Sequence, residues 1–220
     1  MLPQYKEKLD NIKQSIYDLA KSLLEANTTL LDGMASCDKD KFENSRSYIR
    51  NISSKANNID NEIVKTLALY SPEAKDLRVL VAYLKITNEI IRASSNTRNF
   101  IKGFKVICSE LDTQIIQEYA IPMQKATLNS IEYTLEIIKG DDEDENQDLY
   151  HKVLIAESKT DDLYEMIETN ILSNEELKND FQKVNKILSS FRKSEKISDR
   201  FLSISALLLY AQLGGELHSN

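Results

Sequence analysis

Glycine and proline are scarce in this chain. Of 220 residues, 5 are glycine and 3 are proline, far below the usual proportion of either in proteins. Collagen-like repeats, most low-complexity architectures and turn-dense all-β folds need many more of both, so these classes are excluded. A chain of this length buries roughly 70% of its extended surface, so a core can form without disulfides or a structural metal.

Cysteine and histidine are equally rare. The cysteines are Cys37 and Cys108, and the histidines are His151 and His218. This count excludes a disulfide scaffold and any zinc or iron–sulfur site built on cysteine, and it fits a reducing compartment. Neither cysteine has a histidine near it in sequence, so a catalytic thiol is not indicated.

Long apolar runs and excess positive charge are also missing. The net charge is −7, which argues against a nucleic-acid partner because such binding needs a basic face. The longest apolar run covers residues 206–211, whereas a membrane helix needs about 20 residues. The first ten residues are charged and lack a secretory apolar segment. We therefore expect a soluble, cytoplasmic protein.

Apolar residues recur at spacings of three and four along the whole chain. This period is typical of long helices that present one apolar face to a bundle. No stretch alternates with period two for long enough to predict a strand. The clearest series in the first helix contains Leu9, Ile12, Ile16, Leu19, Leu23, Ala26 and Leu30.

Few breaks interrupt the pattern, and they divide it into six helices. The predicted breaks are residues 33–40, 70–72, 103–109, 140–145 and 173–174, and Gly214-Gly215 ends the last helix. Ser71 is expected to be the N-cap of the third helix, with Pro72 in its first turn. Pro122 is expected to kink the fourth helix. The acidic run 141–145 is expected to be a loop, and Ser173-Asn174 to cap the sixth helix, with Glu175 and Glu176 in its first turn.

The six helices form a repeat of three plus three. Asp60 and Asp161 lie about 100 residues apart, as do Asp76 and Asp180, at corresponding places in the two halves. Such spacing indicates two tandem three-helix bundles.

Acidic residues interrupt the apolar face of the sixth helix and border that of the fifth. Glu195 falls on the apolar face of the sixth helix, and Asp199 follows one turn later. Glu157 and Asp161 repeat the same spacing in the fifth helix. Four carboxylates between two helices repel one another unless a cation neutralises them, and such oxygen ligands suit Mg²⁺, Mn²⁺, Fe or Ca²⁺. The matching positions of the first half hold Ile91 and Ser95, so no site is expected there.

Two alternatives remain open for the acidic pairs. They could be solvated at the edges of the bundle, or neutralised by neighbouring basic side chains, which are Lys159, Arg192, Lys196 and Arg200. They could also belong to a carboxylate-bridged metal enzyme of the helical-bundle type. Such sites use Glu-x-x-His pairs, and only Asp148 with His151 places an acid at that spacing.

Two segments resemble the PhoU family of phosphate-signalling proteins. Residues 68–78 (ALYSPEAKDLR), followed by AYLKI at 82–86, look like that family's P-x-A-x-D-L-R corner. Residues 194–200 (SEKISDR) are similar to its L-E-R-I-G-D motif, with Lys196 and Ser198 in place of arginine and glycine. The resemblance extends to the length, the two-fold repeat and the order of the helices.

The resemblance implies an all-α fold of two tandem antiparallel three-helix bundles, with repeats at residues 1–105 and 106–220. The E-x-x-x-D motif is a metal-binding signature in several members. Glu195 and Asp199 therefore become metal-ligand candidates, facing Glu157 and Asp161. The implied ion is divalent or ferric (Fe, Mn, Mg or Zn) and belongs to the second repeat.

The implied function is non-enzymatic regulation of phosphate uptake and of phosphate-starvation signalling. The protein would be an adaptor, and a homodimer, between the ATPase subunit of the phosphate ABC transporter and a sensor histidine kinase at the inner membrane surface. Asp76 and Arg78 are candidates for partner binding, although the same residues could instead serve to cap a helix. An accessory protein of a low-affinity phosphate permease is the alternative function.

Overall fold

The computed structural model describes residues 3–72, 74–175 and 180–214. Within these ranges the chain is helical and contains no strand, so the all-α prediction is confirmed. None of the described helices has an apolar stretch long enough to cross a bilayer. The elements are α1 (Pro3–Met34), α2 (Lys39–Tyr48), α3 (Ile52–Tyr70), α4 (Ala74–Ile107), a 3-10 turn (Cys108–Glu110), α5 (Thr113–Ile115), a π turn (Ile116–Ala120), α6 (Ile121–Lys139), α7 (Glu143–Ser173) and α8 (Phe181–Leu213).

The helices form the two tandem three-helix bundles that the sequence predicts. The first contains α1, α3 and α4, with the short α2 against α1, and the second contains α6, α7 and α8. The bundles join where α4 runs along α8 and α1 along α6, and one apolar core extends through both. The boundary between residues 105 and 106 stays a prediction.

Helices α4 and α8 approach closely where they cross. A side chain on Gly103 of α4 would collide with the side chain of Ser190 of α8, so the packing of the two helices favours glycine here. Phe191 of α8 contacts the rings of Phe100 and Phe104 of α4, each with a centroid distance of 6.1 Å. All three rings are buried, so this aromatic group joins the two bundles.

A buried polar network lies at the same junction. Gln124 of α6 donates from Nε2 to Asn27 Oδ1 of α1 (3.0 Å), and Asn27 in turn reaches Thr97 Oγ1 of α4 (3.4 Å). Ser194 Oγ of α8 donates to Gln124 Oε1 (3.5 Å). Asn27 and Thr97 lie 70 residues apart, as do Gln124 and Ser194. The network therefore contains one corresponding pair from each bundle.

The second predicted helix is two helices in the structure. Between α2 and α3 the chain turns, and the N–H of Arg50 donates to the carbonyl oxygen of Ser47 (3.3 Å). Arg98 of α4 donates to the carbonyl oxygen of Ile49 (3.4 Å), while the Ile49 side chain is fully buried. A residue distant in sequence therefore provides the hydrogen bond to the carbonyl oxygen at this break. Because this contact is not local, the apolar periodicity does not predict the break.

Ser71 ends α3 rather than capping the next helix, so the predicted N-cap is wrong. Its N–H donates to the carbonyl oxygen of Leu67 (3.2 Å), and its φ is 44°. A residue before proline is disfavoured in the helical conformation, so the chain leaves the helix here. The following helix, α4, begins at Ala74.

The acidic run that was predicted to be a loop begins a helix instead. Asp142 is the N-cap of α7 and accepts a hydrogen bond from the N–H of Glu145 (2.9 Å). Glu143, Asp144 and Glu145 form the first turn, where the helix dipole favours negative charge. Only residues 140–142 connect the helices.

Two further predicted boundaries differ. Pro122 stands in the first turn of α6, just after the π turn, and does not kink the middle of a helix. Asn174 is the C-cap of α7, whereas Asp180 caps α8 by accepting from the N–H of Lys183 (2.9 Å). Gly214 ends α8 as predicted, and the predictions for Glu176 and Gly215 lie outside the described residues.

Cys37 and Cys108 are joined by a disulfide, which the expectation of a reducing compartment did not predict. Helices α1 and α4 finish at the same end of the first bundle, which brings Cys37 beside Cys108. The pairing is a consequence of this topology, because the residues between the cysteines include all of α2, α3 and α4.

We predict that Gln124→Leu lowers the free energy of unfolding by about 2 kcal/mol, because the change leaves the buried Oδ1 of Asn27 without the donor that Gln124 Nε2 supplies. Urea denaturation of the full chain measures this. The control is Gln182→Leu on the exposed start of α8, which is expected to change stability by less than about 0.5 kcal/mol. Equal effects of the two variants would contradict the role of the network.

Candidate metal centre

Helices α7 and α8 bring the predicted acidic residues to one place. One carboxylate oxygen from each of Glu157, Asp161 and Asp199 lies within 4.8 Å of the others. Glu195 is next to them, and its charge acts on the carboxyl group of Glu157. We call these four residues the acidic cluster.

One member of the cluster is buried, and the other three are partly exposed. Glu195 is only 4% exposed, and its neighbour Ser198 is fully buried. Among the described residues here, two buried oxygen atoms have no hydrogen bond, namely Oδ1 of Asp161 and Oγ of Ser198. Buried oxygens without a donor cost free energy unless a cation or a water satisfies them.

Basic side chains of α8 neutralise part of the cluster. Lys196 Nζ lies 2.6 Å from Asp199 Oδ2 and 3.2 Å from Glu195 Oε1. Arg192 Nε lies 3.1 Å from Glu195 Oε2, and its guanidinium group lies 5.0 Å from the ring centre of Tyr164. The structure therefore agrees in part with the alternative that neighbouring basic side chains neutralise these acids. Lys159, the remaining candidate from α7, is exposed.

An ion pair links the cluster to the first bundle. Arg200 Nη1 lies 3.0 Å from Glu89 Oε2 of α4, and Arg200 Nη2 lies 3.9 Å from Asp199 Oδ2. Arg92 also reaches Glu89, at 3.4 Å. Sequence reasoning missed Glu89, since no local spacing relates it to a residue 111 positions later.

Burial and mutual repulsion shift the pKa values of the carboxyl groups. Burial, followed by the charges of Asp161, Asp199 and Glu195, raises the pKa of Glu157 to about 7. Burial and the charge of Asp199 raise the pKa of both Asp161 and Glu195. Burial favours a lower pKa for Lys196, but its hydrogen bonds and the charges of Asp199 and Glu195 outweigh this and raise it. The cluster thus holds more negative charge than its surroundings stabilise.

Three of these acids could hold a metal ion. Carboxylate oxygens are ligands that Mg²⁺, Ca²⁺ and Mn²⁺ prefer. Glu157, Asp161 and Asp199 supply three of them at close range, and Asp161 has an oxygen with no other partner. Lys196 already holds Asp199, so a bound cation would share or replace this ammonium group.

The first bundle has no equivalent among the described residues. Ile91 and Ser95 occupy the positions that correspond to the acids of α8. Asp60, which matches Asp161, accepts a hydrogen bond from Thr87 Oγ1 (2.6 Å). The carboxylate of Asp60 thus has a hydroxyl group as a hydrogen-bond donor, whereas Asp161 has an oxygen without one.

The candidate partner-binding residues lie at the start of α4. The guanidinium group of Arg78 lies 6.0 Å from the ring centre of Tyr210 and directly against Gly214, where a side chain would collide with it. Arg78 therefore holds the start of α4 against the end of α8. Asp76 is partly exposed. A role for either residue in partner binding stays a prediction.

Two solved structures have the same fold as this chain. The phosphate transport system regulatory protein PhoU from Streptococcus pneumoniae superimposes with a TM-score of 0.81 at 20% identity, and the match covers 98% of this chain and 100% of that protein. PhoU from Pseudomonas aeruginosa gives a TM-score of 0.81 at 17% identity, over 96% and 100% of the two chains. No family model and no curated protein matches the sequence. The PhoU-like fold that the sequence motifs predict is confirmed.

We predict that Glu157→Gln raises the free energy of unfolding at pH 8 by about 1 kcal/mol, allowing for solvent screening of a half-buried group. The pKa of Glu157 is raised from 4.5 to about 7 on folding, so the folded protein binds the proton more tightly. The wild-type protein therefore loses stability as pH rises from about 4.5 to 7. Urea denaturation over this range, in metal-free buffer, measures the loss.

The control for this prediction is Glu165→Gln, on the exposed side of the same helix. It is expected to leave the pH dependence unchanged. If Glu157→Gln also leaves the pH dependence of stability unchanged, then Glu157 is not repelled in the cluster.

Proposed function

We propose that this protein is a non-enzymatic regulator of phosphate transport. The observation that carries the proposal is the agreement of the whole chain with PhoU structures, at a TM-score of 0.81 over 98% of its length. In this proposal the protein is an adaptor between the ATPase subunit of a phosphate ABC transporter and a sensor histidine kinase. Formation of a homodimer belongs to the same proposal.

An adaptor needs exposed surface for its partners, and the corner between α3 and α4 offers one. Leu69 is 74% exposed and Leu77 is 42% exposed, and both belong to the PhoU-like segment 68–78 that contains Asp76. Apolar side chains of this size, with a charge beside them, are typical of a protein contact. We call Leu69, Asp76 and Leu77 the corner surface and propose that it contacts the transporter ATPase.

The described residues favour an adaptor over a metal enzyme. The acid and histidine at di-iron spacing, Asp148 and His151, are both exposed near the start of α7. Neither belongs to the group of acids that approach within 4.8 Å. The proposed cation would therefore have carboxylate ligands only, in a setting suited to charge neutralisation and to joining α7 with α8.

The proposed cation is held by the cluster in competition with Lys196. Glu157, Asp161 and Asp199 would be its ligands, and it would supply positive charge where carboxyl groups repel one another. Because Asp199 and Arg200 are adjacent and Arg200 pairs with Glu89, a change at the cluster reaches the junction between the bundles.

We predict that the purified protein binds the ATPase subunit of the phosphate transporter and the cytoplasmic part of its sensor kinase from the same genome. Leu69→Glu combined with Leu77→Glu is expected to weaken ATPase binding at least about tenfold, because charge in a buried contact is costly. Surface-immobilised protein and biolayer interferometry measure both affinities.

The matched control is Ile155→Glu, which changes an apolar residue that is 70% exposed on α7 of the second bundle. This variant is expected to bind the ATPase as the wild type does. A wild-type protein that ignores both partners would contradict the proposed function. Binding to a low-affinity phosphate permease in the same assay would establish the alternative in its place.

A further inference from the structure

The two cysteines lie at the end of the first bundle from which the chain continues into the second. Cys37 belongs to the turn between α1 and α2, directly before Asp38, the N-cap of α2. Cys108 begins the segment that leads from the first bundle into the second. Their Cα atoms are 5.8 Å apart, within the range that a disulfide spans without backbone movement. The bond therefore joins a surface turn to the connection between the repeats.

The two sulfur atoms differ in their surroundings. Cys108 is only 2% exposed, whereas Cys37 is partly exposed at the turn. Exchange requires an incoming thiolate to reach one sulfur, while the other sulfur leaves. The geometry allows attack at Cys37, with Cys108 as the leaving group.

The fold also accommodates the reduced state. The carbonyl oxygen of Met34 lies 3.6 Å from Cys108 Sγ, so it can accept a hydrogen bond from the buried thiol once the disulfide is broken. Backbone hydrogen bonds hold the turn independently of the sulfur atoms. Cys37 N–H donates to Met34 (3.4 Å) and Asp38 N–H donates to Gly33 (3.0 Å), each to the carbonyl oxygen. Neither oxidation state leaves the turn without support.

Helix α2 is the element that the bond constrains. It has ten residues, of which only Phe42 and Ser45 are buried. Phe42 contacts Phe104 of α4 at a ring-centre distance of 5.9 Å, and Glu43 pairs with Lys105 of α4 at 2.6 Å. A covalent bond beside the first turn of α2 adds a third attachment to the same end of α4.

We propose that Cys37 and Cys108 form a reversible thiol–disulfide site that exchanges with small thiols and disulfides. Its oxidation clamps the turn before α2 to the end of α4, and its reduction removes this clamp without unfolding the bundle. This inference does not depend on a role in phosphate transport or on a metal.

The chemical step is a two-electron exchange. In oxidation, a protein thiolate attacks a small disulfide, forms a mixed disulfide and expels one small thiol. The second protein thiolate then displaces the other small thiol. The two protein thiols lose two electrons and two protons in all, and the small disulfide takes them up as it becomes two thiols.

The test uses the full chain in mixtures of reduced and oxidised glutathione, under native conditions. Acid quenching, alkylation of free thiols and intact mass measurement give the fraction oxidised. We expect interconversion between the dithiol and the disulfide, while circular dichroism shows that both forms keep their helices. Hydrogen exchange of the α2 amides is expected to be about tenfold or more slower in the oxidised form, as a disulfide stabilises local structure on this scale.

Cys37→Ser and Cys108→Ser are the matched controls, and α2 in each is expected to exchange as in the reduced wild type. The proposal is overturned if the folded dithiol protein forms no disulfide in oxidised glutathione. It is also overturned if the disulfide is reduced only after unfolding, or if α2 exchanges at one rate in both forms of the wild type.

Discussion

The antiparallel contact between α4 and α8 is the interaction on which the rest of the structure depends. Gly103 allows the two backbones to approach beside Ser190, and the aromatic group around Phe191 fills the space next to them. Helix α8 packs against α4 on one side and against α6 and α7 on the other. This central helix therefore fixes the relation of the two bundles and also presents the acids that α7 meets.

This position explains how α8 can hold charges in a buried setting. Glu195 is almost fully buried, yet Arg192 and Lys196 lie within one turn of it and reach its two carboxylate oxygens. Arg200 extends the chain of charges to Glu89 of the first bundle. These basic groups do not neutralise all of the negative charge, because Glu157 and Asp161 add carboxyl groups from α7. Burial and repulsion raise the pKa values of both. A cation at the cluster would neutralise the remaining charge.

The sequence predicted the architecture well, because apolar periodicity and the repeat are local properties repeated along many turns. The acids of α7 and α8 were also predicted, since Glu195 interrupts an apolar face. Contacts that depend on topology were not predicted. Three such contacts join residues that are distant in sequence. They are the hydrogen bond from Arg98 to the carbonyl oxygen of Ile49, the ion pair of Glu89 with Arg200 and the disulfide. The error at Ser71 has another cause. A serine before proline can either end the preceding helix or be the N-cap of the next one, and here Ser71 ends α3.

The most direct test of the proposed cation site is an anomalous difference map from crystals of the full chain grown with Mn²⁺. We expect a peak among the carboxylate oxygens of Glu157, Asp161 and Asp199, with the ammonium group of Lys196 withdrawn from Asp199. A map with no peak in this group at saturating Mn²⁺, and with Lys196 still bound to Asp199, would show that the basic side chains alone neutralise these acids.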